Sequence, residues 1–177
     1  MDSISLPQNT LVVLCGIAGC GKTTFAARHF ARTKIVSSDE CRALLCDDAT
    51  NQSISPHAFD LLHFIIRKRL LLRRLTVADA TNLKAEDRRV FLTLARRFRF
   101  RAALIAFDVP LETCLARNAA RTRIVPADTV IAQYQLFKNT LTEIEGEGFD
   151  SIFILNEQMQ SRTTIQITRP LRQFSPR

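Results

Sequence analysis

The chain predicts an α/β protein: a parallel central sheet flanked by helices. Three observations predict it. Short apolar runs alternate with longer stretches of helical spacing, and continuous apolar runs suit strands buried on both faces. A glycine-rich loop stands between the first apolar run and a helix-like segment. Acidic residues, Asp39 and Asp79, close the next two apolar runs, where ligands of open parallel sheets bind, outside the carboxyl ends of the strands.

Taken in order, the first strand is expected at Leu11–Cys15, with a helix after the loop to about Ala31. Lys34–Ser37 is the second strand, with Asp39 just beyond it and a short helix from about Glu40 to Cys46. Ser55-Pro56 has the form of a cap followed by a first-turn proline, opening a helix to about Arg74 whose Phe59, Leu62, Ile66 and Leu70 share a face. Leu75–Ala78 is the third strand, ending at Asp79, and Asn82 suits the cap of a helix Leu83–Arg97. Phe100–Phe107 is the fourth strand. Pro110 begins a helix to about Arg121, and Pro126–Leu141 is helical again. Ser151–Leu155 is the fifth strand, and Thr163–Thr168 a short strand at an edge. No repeat or linker divides the 177 residues, so a single domain over 1–177 is expected.

Composition narrows the function classes. Hydrophobic residues make up 46% and charged residues 24%, the balance of a soluble globular protein. The uncharged apolar stretches are too short for a membrane span, and the first residues lack the basic start and apolar core of a secretory signal. Cys15, Cys20, Cys41, Cys46 and Cys114 have no C-x-x-C pair and read as reduced thiols of a cytoplasmic protein. His29, His57 and His63 have no zinc-site spacing and no evident catalytic task. The net charge of +8 would attract a polyanion, nucleic acid first among them. The basic stretches at 67–69, 73–74, 88–89 and 96–97 carry no spacing that dictates contacts and are expected as solvated helix faces.

Gly16-Ile17-Ala18-Gly19-Cys20-Gly21-Lys22-Thr23 has the spacing G-x-x-x-x-G-K-[ST] in the order strand, loop, helix. Glycines let backbone N–H groups curl around phosphate oxygens, and the helix N-terminus adds unpaired N–H groups and partial positive charge. Lys22 is expected on the β/γ-phosphates and the Thr23 hydroxyl on Mg²⁺, with Thr24 beside it in a nucleoside triphosphate site. Asp39 is placed to accept the proton of an acceptor hydroxyl, and Arg42, one helical turn on, to hold an acceptor phosphate. Asp79 is a second carboxylate near the metal, acting directly, through water, or by fixing Lys22 or Thr23. Arg117 and Arg121, one face of a helix by their spacing, and Arg123 suit a lid over the triphosphate, about 111–141.

Several segments in order carry a family resemblance: Gly16–Thr23, Val36-Ser37-Ser38-Asp39-x-Cys41-Arg42, Asp47-Asp48-x-x-Asn51-Gln52, Ala58-Phe59-Asp60-x-Leu62-His63, Leu75–Asn82, Arg117-Asn118 and Gly148-Phe149…Ile154-Leu155-Asn156. Over roughly Leu11–Asn156 the chain resembles the kinase domain of the bacterial polynucleotide kinase–phosphatase end-healing enzymes, of the P-loop phosphotransferase superfamily. The resemblance implies a P-loop kinase fold with an arginine-bearing helical lid. It implies ATP- and Mg²⁺-dependent phosphorylation of 5′-OH ends of RNA or DNA in repair, with phosphatase and ligase modules in the same or a partner chain. It implies Lys22 and Thr23 on ATP phosphates and Mg²⁺, Asp39 as general base, Arg42 on the acceptor's phosphate and Arg117 as the lid arginine. One position departs from the pattern: Ile124 stands where a further lid arginine is expected, and Arg123 comes one residue earlier. The competing readings are a P-loop kinase of a small metabolite or nucleoside and a nucleotide-dependent RNA-binding switch.

Overall fold

The computed structural model describes residues 3–169. The ends of the expected domain, residues 1–2 and 170–177, lie outside them. Five strands form the central sheet: β2 (Thr10–Cys15), β3 (Ile35–Ser37), β4 (Thr76–Asp79), β5 (Arg101–Phe107) and β6 (Ser151–Leu155), in the order β3-β4-β2-β5-β6 and all parallel. Every residue of β2 is buried, as its unbroken apolar run requires of a central strand covered on both faces. Burying each such valine or leucine contributes about 1.5–3 kcal/mol. After β2 the chain passes to the outer strand β3, returns to β4, and then crosses to β5 on the other side. That reversal of strand order opens a crevice at the carboxyl end of β2.

Among the described residues seven α-helices accompany the strands: α1 (Lys22–His29), α2 (Ser38–Cys46), α3 (Ser55–Leu71), α4 (Ala85–Arg97), α5 (Leu111–Ala119), α6 (Ala127–Glu143) and α7 (Glu157–Arg162). Leu62, Ile66 and Leu70 of α3 are fully buried, as their spacing predicts. None of the described helices is long and apolar enough to cross a membrane.

The structure corrects several local expectations. The tail strand, β7 (Thr164–Thr168), is not at the edge of the main sheet. It pairs in parallel with an unforeseen strand β1 (Ser3–Pro7) as a separate two-stranded sheet, because Ile4 and Leu6 alternate inward and need a partner. Asn82 does not cap α4, which starts at Ala85. With a left-handed φ of 48°, Asn82 instead donates through Nδ2 to the Leu14 carbonyl at 2.7 Å, tying the end of β2 to the segment after β4. Ser55 is the first residue of α3 rather than its cap. Helix α5 stops at Ala119, so Arg121 lies beyond it and the helical face expected for Arg117 and Arg121 does not extend that far.

Candidate active site

The glycine loop is shaped by close approach. Gly19 and Gly21 have φ of +83° and +100°, and a Cβ on Gly19 would stand 2.2 Å from the Cys114 carbonyl oxygen. No larger residue fits there without moving α5. Helix α1 starts at Lys22 on Gly21, which supplies no side-chain cap, so the first N–H groups of the helix face the loop. The Lys22 ammonium is buried and donates to the carbonyl oxygens of Gly16 and Ile17, each at 2.8 Å. It is thereby held across the loop.

A cleft of about 400 Å³ opens on one side of the loop, lined by Ala18, Lys22, Thr23, Asp39, Arg42 and Asp79 among others. Strand β3 and the first turn of α2 deliver Asp39, whose negative charge suits a helix N-terminus. Its two carboxylate oxygens pair with two arginines: Oδ1 with Arg42, Oδ2 with Arg123. The Arg42 side chain is only 6% exposed and its Nε donates to the Ala49 carbonyl at 3.0 Å, whereas the Asp39 side chain is 52% exposed. A rigid guanidinium thus orients a reachable carboxylate. Asp79, delivered by β4, accepts the Thr23 hydroxyl at 2.8 Å. Burial pushes the Asp79 carboxyl above its usual range, while the Lys22 ammonium and the Thr23 hydroxyl pull it down. Among the described residues no group of three or more His, Cys, Asp or Glu could hold a metal. Mg²⁺ in a triphosphate site needs no such cage, because phosphate oxygens and waters supply most of its shell. The Thr23 hydroxyl beside a carboxylate is a hard-oxygen donor set of the right kind.

A second cleft, of about 420 Å³, opens on the other side, lined by Gly19, Gly21, Thr24, Arg117, Arg121 and Gln160 among others. Arg117, on α5, pairs with Glu157 of α7 at 2.6 Å. The segment after α5 is stapled by the buried Asn118, whose Nδ2 donates to the Val125 carbonyl at 2.7 Å and whose Oδ1 accepts from the Val125 amide at 3.1 Å. Between those bonds the chain turns, presenting Arg121 to both clefts and Arg123 to the first alone. This turn, not a shared helical face, brings Arg117 and Arg121 together.

Every residue the sequence assigned to nucleotide, metal or acceptor thus lies in the glycine loop or borders one of its two clefts. Other lining residues escaped sequence reasoning. Gln133 of α6 accepts the Ala18 amide of the loop on Oε1 at 2.9 Å. Glu157 and Gln160 come from α7, a helix the sequence reading passed over. The one signal for it was Asn156, whose side chain accepts the Met159 amide as a helix cap. His29 packs on Phe25 and His63 on Phe91, and neither lines either cleft. The cysteines are free thiols, and burial pushes Cys15 and Cys114 up to about 12.

The AAA domain family matches residues 11–144. No curated protein matches the chain. Among solved structures, a Pnkp1/Rnl/Hen1 RNA repair complex aligns at TM-score 0.65 and 21% identity, covering 79% of this chain and 47% of that one. A PezAT chromosomal toxin–antitoxin system of Streptococcus pneumoniae aligns at 0.63 and 14%, covering 86% and 70%. A gluconokinase from Sinorhizobium meliloti 1021 aligns at 0.52 and 15%, covering 88% and 87%. The chain therefore spans about half the length of the RNA-repair protein it resembles in fold. With its glycine loop at the turn between β2 and α1, and a parallel sheet matched by these neighbours, the chain belongs to the AAA domain family and carries a P-loop kinase fold.

Proposed function

We propose that the protein is an ATP-dependent polynucleotide 5′-hydroxyl kinase of RNA or DNA repair. The observation that carries it is the convergence of Asp39, Arg42 and Arg123 in one cleft with Lys22 and Thr23. The triphosphate lies in the glycine loop, its γ-phosphate toward the first cleft and its nucleoside toward the second. Lys22 leaves the Gly16 and Ile17 carbonyls for the β/γ-phosphates. Thr23 and Asp79 would hold Mg²⁺, which when bound would neutralise phosphate charge. Arg117 and Arg121 approach the triphosphate from α5 and the turn after it.

The acceptor enters the first cleft. Asp39 takes the proton of its 5′-hydroxyl as the oxygen attacks the γ-phosphorus, and the bond to the bridging oxygen breaks to release ADP. Arg42 and Arg123 are two cations beside that hydroxyl. They suit an acceptor with a phosphate next to its 5′-OH, which a polynucleotide has and a free nucleoside lacks. On this reading Arg123 serves the acceptor side, and Arg117 and Arg121 the ATP side. The +8 net charge and the likeness to an RNA repair complex support a nucleic acid acceptor.

The test is transfer of labelled γ-phosphate to a 5′-OH oligonucleotide, set against nucleosides and gluconate as acceptors. Labelling of the oligonucleotide is expected. Labelling of gluconate or nucleosides alone would make the protein a small-metabolite kinase, and ATP binding without transfer to any acceptor would make it a nucleotide switch.

A further inference from the structure

The opposite end of the sheet carries a second charged feature. Lys34 precedes β3, Arg74 precedes β4 and Arg101 opens β5, and parallel strands put all three starts at the same end. Helices α3 and α4 finish there too, with basic residues in their last turns. Cations at helix C-termini are favourable in themselves, so the composition alone carries nothing. Two observations go further.

The first is a built cleft of about 290 Å³, lined by Lys34, Arg69 and Arg74 with Gln8 and Thr33, and by no carboxylate among the described residues. Arg69 is fixed in it: its Nε donates to the Thr76 hydroxyl and its Nη2 to the Leu75 carbonyl, both at 3.1 Å. Burial and the neighbouring charge of Arg74 hold the Arg69 guanidinium below its ordinary range. A half-buried cation pressed by a like charge is stabilised by an anion.

The second is pairing. Apart from Arg32 with Glu40 beside the start of β3, the ion pairs among the described residues lie elsewhere, and none includes Lys34, Arg69, Arg73, Arg74, Arg99 or Arg101. Arg73 donates to the Phe98 carbonyl at 2.7 Å, joining the end of α3 to the entry of β5 and so the cleft to Arg99 and Arg101. At the other side, the Gln8 amide donates to the Thr168 carbonyl, bringing exposed Arg169 alongside. The neighbouring strand starts of β3, β4, β2 and β5 span roughly 15 Å. A nucleic acid strand sets several phosphates along that width.

We propose that the amino-terminal end of the sheet binds the phosphodiester backbone of a polynucleotide, at a face separate from the catalytic cleft. The two lie roughly 20 Å apart along β5. The carboxylate at this edge, Asp150 before β6, accepts the Ala102 amide at 2.8 Å, and the excess of cations across the remaining strand starts fits an extended polyanion better than a single phosphate. The face is read by binding alone, so it stands or falls independently of the transfer reaction.

The test is fluorescence anisotropy of a labelled 30-nucleotide single-stranded RNA with wild type, R74E/R101E and R74Q/R101Q. Both residues are exposed and neither side chain makes a hydrogen bond among the described residues, so folding should survive, and a melting curve checks it. The reversal is expected to weaken 30-mer binding about tenfold or more and to lower the salt slope by about 1–2, with a smaller effect for the neutral pair. A hexamer confined to the catalytic cleft should bind all three equally. Unchanged 30-mer affinity and slope in folded variants would overturn the proposal and leave the face to an acidic protein partner. Equal losses for hexamer and 30-mer would overturn it too. So would inorganic phosphate that lowers wild-type 30-mer binding to the variants' level at an ionic strength where a chloride salt leaves the difference intact, since that assigns the cleft to a lone phosphate.

Discussion

The two ends of the sheet treat charge in opposite ways. At the carboxyl end acids and bases are paired and directed: Asp39 between Arg42 and Arg123, Arg117 with Glu157, and Thr23 on Asp79. The fully buried Arg88 belongs to this end as well, pairing with Glu147 and donating to the Asn82 and Leu83 carbonyls. In the amino-end cleft Lys34, Arg69 and Arg74 stand without a carboxylate among the lining residues. The difference teaches that charge count alone says little. Pairing fixes side chains in one geometry, which chemistry at a reacting atom requires. An unpaired, solvated field attracts a polyanion without prescribing its pose.

The comparison is broken most severely at Asp39. Asp39→Ala is expected to lower kcat about 10³-fold while ATP still binds, measured by transfer rates beside nucleotide titration. Full activity in that variant would remove the general-base assignment. Glu147→Gln is expected to cost about 3 kcal/mol in chemical denaturation, because Arg88 keeps its charge in a site with no exposed surface. A smaller loss would show that the carbonyls of Asn82 and Leu83 satisfy Arg88 by themselves. Arg117→Ala is expected to slow transfer about 10²-fold with little change in acceptor KM. A raised acceptor KM at unchanged kcat would move Arg117 to the acceptor side. At the amino end, Arg74→Gln is expected to leave stability within about 0.5 kcal/mol of wild type or to raise it, since it relieves repulsion on Arg69. A marked loss of stability would mean that Arg74 has a structural partner and that the two ends differ less than their ion pairs indicate.

Much of the carboxyl end of the sheet was legible in the chain because it depends on local spacing. The glycine loop, the strand before it and the carboxylates closing β3 and β4 follow from apolar runs and short motifs. Asn82 shows where local rules fail. Its residue type suits a cap, but the Leu14 carbonyl, far off in sequence, competes for its side chain and wins. Arg121 is similar: i, i+4 spacing promises a shared face only while the helix lasts, and the Asn118 staple ends it earlier. Gln133, Glu157 and Gln160 carried no motif, and they reach the loop through packing of α6 and α7.

The sequence by itself determined the parallel α/β architecture, the glycine loop and the positions of Lys22, Thr23, Asp39 and Asp79, because each is set by backbone periodicity or by residues a few positions apart. Only the tertiary structure decided that Arg123 meets Asp39 across 84 residues, and that Lys34, Arg69, Arg74 and Arg101 share one end of the sheet. Those are encounters between distant segments, created when strands take their order and helices dock, and no local propensity encodes them.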